Sequence, residues 1–275
     1  MSAADHSLSA WSARILVAAV FLFSVLPLAV MLMMSFSSSE FVRFPPPSFS
    51  LRWYENYFTR TDWIESTLRS LWIGATVTAI AVLLGVPASL GIAKLGQRSA
   101  DAALALATLP IVLPPVVIAV AMYMTFSSVG LVGTRTGIVL GHLTLAIPFV
   151  VLTTLASLRR LDPELVRAAL SLGASRTRVT FTVTLPIIRP GILAGALFAF
   201  LASFDELMIS LFVGNPEIRT LPRRMWEGVR SEFDPTVSAA SAVVILATLV
   251  VVGFAFAVNA LARRRRPSIR EQTHV

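Results

Sequence analysis

Six apolar runs dominate the hydrophobic pattern of this chain, separated by shorter polar segments. An apolar run of about 20 residues crosses the hydrocarbon core of a bilayer as an α-helix. The pattern therefore predicts an all-α membrane protein with six transmembrane helices. The predicted spans are residues 14–36, 68–93, 104–126, 137–157, 191–213 and 237–261.

The composition agrees with a membrane-embedded chain. Of its 275 residues, 56% are hydrophobic and only 14% are charged, and the mean hydropathy is +0.77. Soluble domains carry about 25% charged residues. There is no cysteine, so disulfides and thiolate metal sites are excluded. The first apolar run is longer than the roughly 7–15 residues of a signal-peptide core, and we expect it to remain as a membrane anchor.

The distribution of charge predicts the orientation. If both termini face the cytoplasm, 14 of the 23 lysines and arginines fall in cytoplasmic segments. The positive-inside rule then favours an N-in, C-in topology. It also explains the net charge of +8 and the terminal run of arginines without a nucleic-acid partner. The predicted organisation is a cytoplasmic tail (1–13), a single transmembrane domain (14–261) and a basic cytoplasmic tail (262–275).

The longest predicted cytoplasmic loop, residues 158–190, opens with the signals of a helix start. Asp162 can cap a helix, Pro163 suits its first position and Glu164 favours its N-terminal dipole. An apolar face of small and medium side chains follows at helical spacing: Leu165, Ala168, Ala169 and Leu172. Two alternatives stay open for this face: docking of a cytoplasmic partner, or a surface helix that lies on its own helix bundle or in the lipid headgroups.

The second half of this loop has a conflicting pattern. Gly173 falls where the first helix would end, and Ser175 can cap a second short helix ending near Leu185-Pro186. Apolar residues nevertheless alternate with threonines at period two, which is typical of a strand. Those residues are Val179, Phe181, Val183 and Leu185. The pattern alone does not decide between helix and strand.

The spacing within the loop resembles a known motif. Ala168-Ala169, three residues, Gly173, nine residues and Val183-x-Leu185-Pro186 are similar to the cytoplasmic EAA motif of binding-protein-dependent ABC transporter permeases, the type I importers. Residues 44–58 resemble the segment after the first span of these permeases. Residues 203–241 resemble permeases of spermidine/putrescine importers in particular. The motif's glutamate falls on Arg167 here, with Glu164 one turn earlier.

The resemblance implies a non-catalytic permease subunit of a bacterial inner membrane, working with several partners. These would be a sister permease, two ATP-binding subunits that hold ATP and Mg²⁺, and an extracytoplasmic solute-binding protein. The loop 158–190 would be a helix-turn-helix coupling element seated in an ATPase, which favours helix over strand. Its coupling residues would be Glu164, Arg167, Ala168, Ala169, Gly173, Leu185 and Pro186. The implied cargo is a polyamine or a similar organic cation.

The sequence itself excludes an ATPase of the P-loop type. Such a loop ends in Lys-Ser or Lys-Thr, whereas the only lysine, Lys94, precedes Leu95. We expect no cofactor in this chain. A self-contained secondary transporter or channel remains the alternative class of function, and another solute, such as an aminophosphonate or amino-acid derivative, remains an alternative cargo.

Two carboxylates lie within the fifth apolar run, where ionisable groups are costly and commonly functional. Ser203, Glu206 and Ser210 follow at i, i+3 and i+7, so a continuous helix would align them in a polar seam. Asp205 would point about 100° away from Glu206. Ser203, Asp205 and Glu206 are therefore candidates for lining a solute pathway. The alternative is a structural ion pair with an arginine of this chain or of a sister chain, or a span that ends earlier.

Three weaker patterns also carry expectations. Pro110, Pro114 and Pro115 should kink the third span. His142 has no companion at ligand spacing and is expected to be a packing histidine rather than a metal ligand. The segment 214–236 mixes arginines with Trp and Val, a pattern typical of an interfacial amphipathic helix. By analogy with the permease family, contact with a periplasmic solute-binding protein is the alternative.

Overall fold

The computed structural model is helical throughout the segments it describes, residues 3–41, 44–232 and 234–264. Within those ranges no strand is present beyond one isolated bridge between Ser37 and Phe49. The all-α prediction is confirmed. The helices are α1 Ala3–Ser35, α2 Arg52–Thr59, α3 Thr61–Ile92, α4 Gln97–Val112, α5 Pro115–Ser128, α6 Arg135–Leu158, α7 Pro163–Ser171, α8 Arg176–Val179, α9 Leu185–Phe204, α10 Met208–Phe212, α11 Leu221–Glu227 and α12 Thr236–Arg264, with π-helical turns at Thr180–Thr184 and Gly228–Glu232.

Four helical segments of the described chain are long and apolar enough to cross a membrane, or five if one bent pair forms a single span. The apolar segment of α12, Thr236–Val250, is too short to be one of these. The six-span count and the N-in, C-in orientation therefore stay predictions. Residues 1–2 and 265–275, which belong to the two predicted tails, lie outside the described residues. The four helical segments that are long and apolar enough to cross a membrane are Arg14–Ser35, Thr61–Ile92, Arg135–Leu158 and Arg176–Phe204.

The predicted third span, 104–126, is not one helix. It is divided between α4 and α5, whose axes are bent by 98°. Leu113, at the break, is extended with φ −75° and ψ 142°, as expected for a residue before a proline. Two consecutive prolines remove two backbone donors, so the helix ends and restarts at Pro115. The kink expected from the prolines is confirmed, whereas the single continuous helix is wrong.

The chain packs as two units, Met1–Arg60 with Glu227–Val275, and Thr61–Trp226. In the first unit α12 packs against α1 and α2, and Arg60 Nη1 contacts Asp234 Oδ2 at 2.9 Å. In the second unit α3, α6 and α9 pack pairwise around an apolar core. The fully buried residues of that core include Val77, Ala81, Ile138, Ala146, Val150 and Ala199.

Glycines allow α9 to lie directly against α6. A Cβ on Gly195 would come within 2.9 Å of Val150 Cα, and one on Gly191 within 2.9 Å of the Thr153 carbonyl oxygen. The two glycines are four residues apart and share one face of α9. Small residues at such a face let two membrane helices approach closely, which compensates for the weak hydrophobic drive to associate in lipid.

We expect Gly195→Leu to lower the free energy of unfolding by about 2 kcal/mol or more, because overpacking forces the two backbones apart. Gly91→Leu is the matched control, since a Cβ on Gly91 meets nothing within 4 Å. The measurement is thermal unfolding of the detergent-solubilised chain, followed by circular dichroism. Equal melting temperatures for the two variants would contradict the proposed packing.

Candidate functional site

The predicted coupling loop begins as a capped helix. The Asp162 carboxylate accepts a hydrogen bond from the Glu164 N–H at 2.9 Å, and Pro163 is the first residue of α7. These contacts satisfy a donor that a helix N-terminus otherwise leaves free. The predicted start of the helix is confirmed.

A glycine turn follows α7, and a second helix follows the turn. Gly173 has φ +86°, a left-handed conformation that glycine adopts without strain. Its N–H donates to the Leu170 carbonyl at 2.9 Å. Ser175 then caps α8 by accepting a hydrogen bond from the Arg178 N–H at 3.3 Å. The loop is therefore a helix-turn-helix, and the strand alternative for its second half is wrong.

The second helix does not end near Leu185-Pro186, as the sequence predicted. It continues from Arg176 to Phe204 through the π-helical turn Thr180–Thr184. The Leu185 N–H donates to the Thr180 carbonyl, an i→i+5 bond. A π turn adds one residue to a turn of the hydrogen-bond ladder. Such turns are one of the known causes of a local bend or distortion in a helix. Here the turn directly precedes Pro186, which has no N–H to donate.

The surface of the helix-turn-helix is open. Leu165 and Leu170 are exposed, and Leu172 exposes 89% of its area and Phe181 66%. Three arginines of the same segment are also exposed, and among the described residues none of them contacts a carboxylate. They are Arg167, Arg176 and Arg178. This surface thus combines apolar side chains with uncompensated positive charge.

The polar residues of the fifth run lie at a break in the helix. The continuous span predicted for 191–213 is wrong, because α9 ends at Phe204 and α10 starts at Met208. The Glu206 carboxylate accepts hydrogen bonds from the N–H groups of Met208 at 3.0 Å and Ile209 at 2.8 Å. Those groups would otherwise bond to carbonyls of α9. The side chain of Glu206 therefore holds the first N–H groups of α10.

A buried histidine joins this break to α6. His142 Nδ1 lies 2.9 Å from Ser203 Oγ, and its Nε2 lies 3.6 Å from Glu206 Oε2 and 3.4 Å from Ser210 Oγ. His142 is 1% exposed. The predicted grouping of Ser203, Glu206 and Ser210 is found, although through His142 rather than along one helix. His142 is buried and hydrogen-bonded, as predicted for a packing histidine, and among the described residues of this chain the buried side chain beside Glu206 is this histidine and not an arginine.

The two adjacent carboxylates have different environments. Glu206 is buried, 7% exposed, and its two oxygens bond to backbone donors. Asp205 is exposed, and its side chain has no hydrogen bond or ion pair among the described residues. Of the two carboxylates, only Asp205 is open to a ligand.

An arginine that sequence reasoning missed holds the other end of α10. Arg223 Nη1 donates to the Ser210 carbonyl at 2.9 Å and to the Asn215 carbonyl at 3.1 Å. Asn215 in turn donates to the Gly133 carbonyl at 3.0 Å. The short helix thus has an anion at its N-terminus and a cation at its C-terminus, the arrangement that the helix dipole favours. Pattern alone gave no signal for these contacts, because they connect an arginine to backbone carbonyls.

Arg224 belongs to the segment 214–236 that was expected to form an interfacial helix, but its side chain does not lie on the surface. This residue is fully buried, its Nε contacts Asp62 Oδ2 at 2.8 Å, and its guanidinium lies 4.6 Å from the Trp63 ring centroid. Burial of a charge is tolerated when it is paired in this way. Arg224 therefore fastens α11 to the beginning of α3 and does not face a headgroup region.

Comparisons with known proteins identify relatives among membrane components of transport systems. Residues 81–270 match the family described as "Binding-protein-dependent transport system inner membrane component". The putrescine transport system permease protein PotI of Escherichia coli (strain K12) is 32% identical over 258 residues, covering 91% of each chain. The spermidine/putrescine transport system permease protein PotC of Haemophilus influenzae is 25% identical over 233 residues, covering 85% of this chain and 90% of that one.

Solved structures share the fold. A chain from the crystal structure of a bacterial ABC transporter that imports the acidic polysaccharide alginate matches with a TM-score of 0.67, 18% identity and coverage of 95% of this chain and 97% of that one. An inward-facing MetNI methionine ABC transporter matches with a TM-score of 0.55, 19% identity and coverage of 72% and 95%. At these identities the likeness concerns the fold alone.

We expect Glu206→Ala to lower the free energy of unfolding by about 1–3 kcal/mol, because several buried N–H groups lose their acceptor. Asp205→Ala is the matched control, and we expect little change, since the side chain of Asp205 is exposed and has no capping contact among the described residues. Thermal unfolding in detergent measures both. A larger loss for Asp205→Ala than for Glu206→Ala would contradict the capping role.

Proposed function

Because the chain belongs to the family of binding-protein-dependent transport system inner membrane components, we propose that it is the permease subunit of an ATP-driven polyamine importer. Its place in this family makes it an inner-membrane, non-catalytic component of an ABC transporter, with ATP hydrolysed by partner subunits. It is not a self-contained secondary transporter. The finer points of the proposal are the cargo, the partners and the residues that serve each.

The exposed carboxylate of Asp205 is the observation that carries the polyamine assignment. It lies at a helix break within the predicted fifth span, beside a glutamate whose oxygens are already occupied by backbone donors. An unpaired carboxylate in a medium of low dielectric constant attracts cations strongly. The names of PotI and PotC, which refer to putrescine and spermidine, support a cationic cargo. The fold does not select the cargo, since an alginate importer shares it.

Ser203 and Glu206 have a supporting part in this proposal. Ser203 is buried against His142, and Glu206 holds the start of α10. They fix the backbone at the position where Asp205 leaves the helix. We infer that Asp205 contacts the cargo, and that Ser203 and Glu206 orient it.

The helix-turn-helix formed by α7 and α8 is the proposed contact with the ATPase. Its exposed leucines and alanines suit a groove on another protein, and its free arginines suit acidic residues there. Arg167 stands where related permeases have glutamate, and it forms no ion pair with Glu164 among the described residues. We infer that Arg167 meets an acidic group of the partner.

The proposed complex contains this chain, a sister permease, two ATPase subunits that bind ATP and Mg²⁺, and an extracytoplasmic solute-binding protein. Closure of the ATPases on ATP would draw the two helix-turn-helix elements together. Because α8 continues into α9 without a break in the helix, that movement would reach Ser203 and Asp205. The spans would then tilt from an inward-open to an outward-open arrangement.

Reconstitution of the complete transporter in proteoliposomes tests this proposal. We expect ATP-dependent uptake of putrescine or spermidine when the solute-binding protein is present. Uptake restricted to an amino acid or an aminophosphonate would contradict the polyamine assignment and leave the transporter class intact. Uptake that persists without the ATPase subunits would contradict the proposed energy coupling.

We expect Gly173→Val to uncouple transport without preventing membrane insertion. A left-handed conformation costs a residue with a Cβ about 1–2 kcal/mol, and a β-branched residue tolerates it least. A Cβ here meets no atom within 4 Å, so the effect arises from the backbone and not from a clash. The readout is ATP-dependent uptake, which should fall by about tenfold, since 1.4 kcal/mol corresponds to that factor.

Gly173→Asn is the control for this variant, because asparagine enters the left-handed region more readily than valine. It should retain most of the uptake. Equal losses for the two variants would show that bulk at the turn, and not its backbone conformation, determines coupling.

We expect Asp205→Asn to lower uptake of a cationic solute by about fivefold, the factor that corresponds to a partly exposed ion pair worth about 1 kcal/mol. The matched control is Asp101→Asn, an exposed carboxylate on α4 far along the chain from the break. Uptake rates at low solute concentration provide the measurement. An equal loss for cationic and neutral solutes would indicate that Asp205 is structural.

A further inference from the structure

A small pocket between α3 and α6 combines two arginines with an apolar wall. Its volume is about 180 Å³. It lies entirely within the unit Thr61–Trp226 and is separate from the break at Asp205 and from the helix-turn-helix. Its lining residues are Leu68, Arg69, Trp72, Ile73, Arg135 and Ile218.

The two arginines mark the boundary of the apolar part of their helices. Arg69 is the last charged residue of α3, and the next 24 residues of the chain are uncharged. Arg135 begins α6, and no Asp, Glu, Lys or Arg follows it until Arg159. Each uncharged stretch is about 35 Å long as a helix, close to the thickness of a bilayer core. Because the arginines meet at one pocket, α3 and α6 enter the membrane from the same side.

Only one of the two positive charges of this pocket has an anionic partner among the described residues. Arg69 is paired with Glu65 one turn earlier. Arg135 is exposed and forms no hydrogen bond or ion pair with any residue that the structure describes. Other arginines on this side of the predicted topology have partners: Arg52 contacts Glu40, Arg60 contacts Asp234 and Arg224 contacts Asp62.

The wall beside Arg135 is apolar and open. Leu68 is 59% exposed and Trp72 is 50% exposed, while Ile73 closes the floor of the pocket. A soluble anion would gain nothing from these side chains. A molecule with a phosphate group and an acyl chain would use both parts of the pocket, because guanidinium binds phosphate in a bidentate manner and tryptophan favours the membrane interface.

We propose that this pocket binds the phosphate of an anionic phospholipid, of the phosphatidylglycerol type, with Arg135 as the principal contact and Arg69 at its rim. The acyl chain lies against Leu68 and Trp72. Binding neutralises the unpaired guanidinium at the level where the hydrocarbon core ends. In the predicted topology Arg135 lies on the extracytoplasmic side, where the positive-inside rule disfavours basic residues. Lipid binding would stabilise its charge there.

Site-specific photocrosslinking of the full chain tests the proposal. Benzoylphenylalanine replaces Leu68, and the protein is reconstituted in vesicles of equal parts phosphatidylglycerol and phosphatidylcholine. Mass spectrometry of the labelled peptide gives the ratio of the two lipid adducts. The phosphatidylcholine adduct serves as an internal standard, so that a loss of folding, which would remove both adducts, is distinguished from a loss of charge selectivity.

We expect the phosphatidylglycerol adduct to predominate, because the choline ammonium of phosphatidylcholine neutralises its own phosphate and leaves less net attraction to a guanidinium. Arg135→Gln removes the charge that makes this distinction, and it should lower the adduct ratio by about tenfold. Arg135→Lys, which keeps the charge, should retain most of the preference. Arg159→Gln, at the other end of α6, is the matched control and should leave the ratio unchanged. Excess glycerophosphate in the buffer should not compete, since it has no acyl chain.

Three results would overturn the proposal. One is an equal yield of the two lipid adducts with the unsubstituted arginines. Another is competition by glycerophosphate, which would identify a site for a soluble phosphate. The third is a protein adduct in place of lipid when the complete transporter is crosslinked, which would show that a partner subunit covers the pocket.

Discussion

Backbone hydrogen bonding without water is the constraint on which the rest of this structure depends. Within a bilayer each N–H and C=O group must find a partner inside the protein, so every departure from a regular helix needs a substitute donor or acceptor. At the break after Phe204 that acceptor is the Glu206 carboxylate. In the loop 158–190, outside the predicted spans, the π turn before Pro186 rearranges the ladder in a similar way. At these two positions a polar side chain or a changed ladder supports the irregular backbone, and candidate functional residues lie beside both.

The adjacent pair Asp205 and Glu206 illustrates how this constraint separates structure from function. Both are carboxylates in the same apolar run, so the sequence alone does not distinguish their roles. Three backbone N–H groups and a histidine occupy Glu206, so its charge is used within the fold. Asp205 receives none of these contacts and is held at the break by its neighbour. A buried acid that organises the backbone makes possible an exposed acid that is available to a cation.

Much of the fold follows from local pattern. The approximate positions of the long helices, the cap at Asp162 and the turn at Gly173 each depend on residues a few positions apart, and the sequence predicted all of them. Contacts between distant residues could not be predicted. His142 meets Glu206 and Ser203 across more than 60 residues of chain, and Arg223 bonds to carbonyls that carry no side-chain signal. A span that ends earlier than residue 213 was an open alternative, but the pattern could not decide for it, because a glutamate in an apolar run has no intrinsic tendency to cap until its surroundings are known.

The π turn at Thr180–Thr184 has a geometric consequence for the helix that contains it. Each residue of an α-helix turns the chain by about 100°, so an extra residue in one turn rotates everything beyond it relative to everything before it. The turn lies between the exposed arginines of α8 and the glycine face of α9. It therefore sets the angle between the exposed arginine surface of α8 and the packed glycine face of α9 within one continuous helix. A deletion of a single residue there would leave both surfaces intact and point them in incompatible directions.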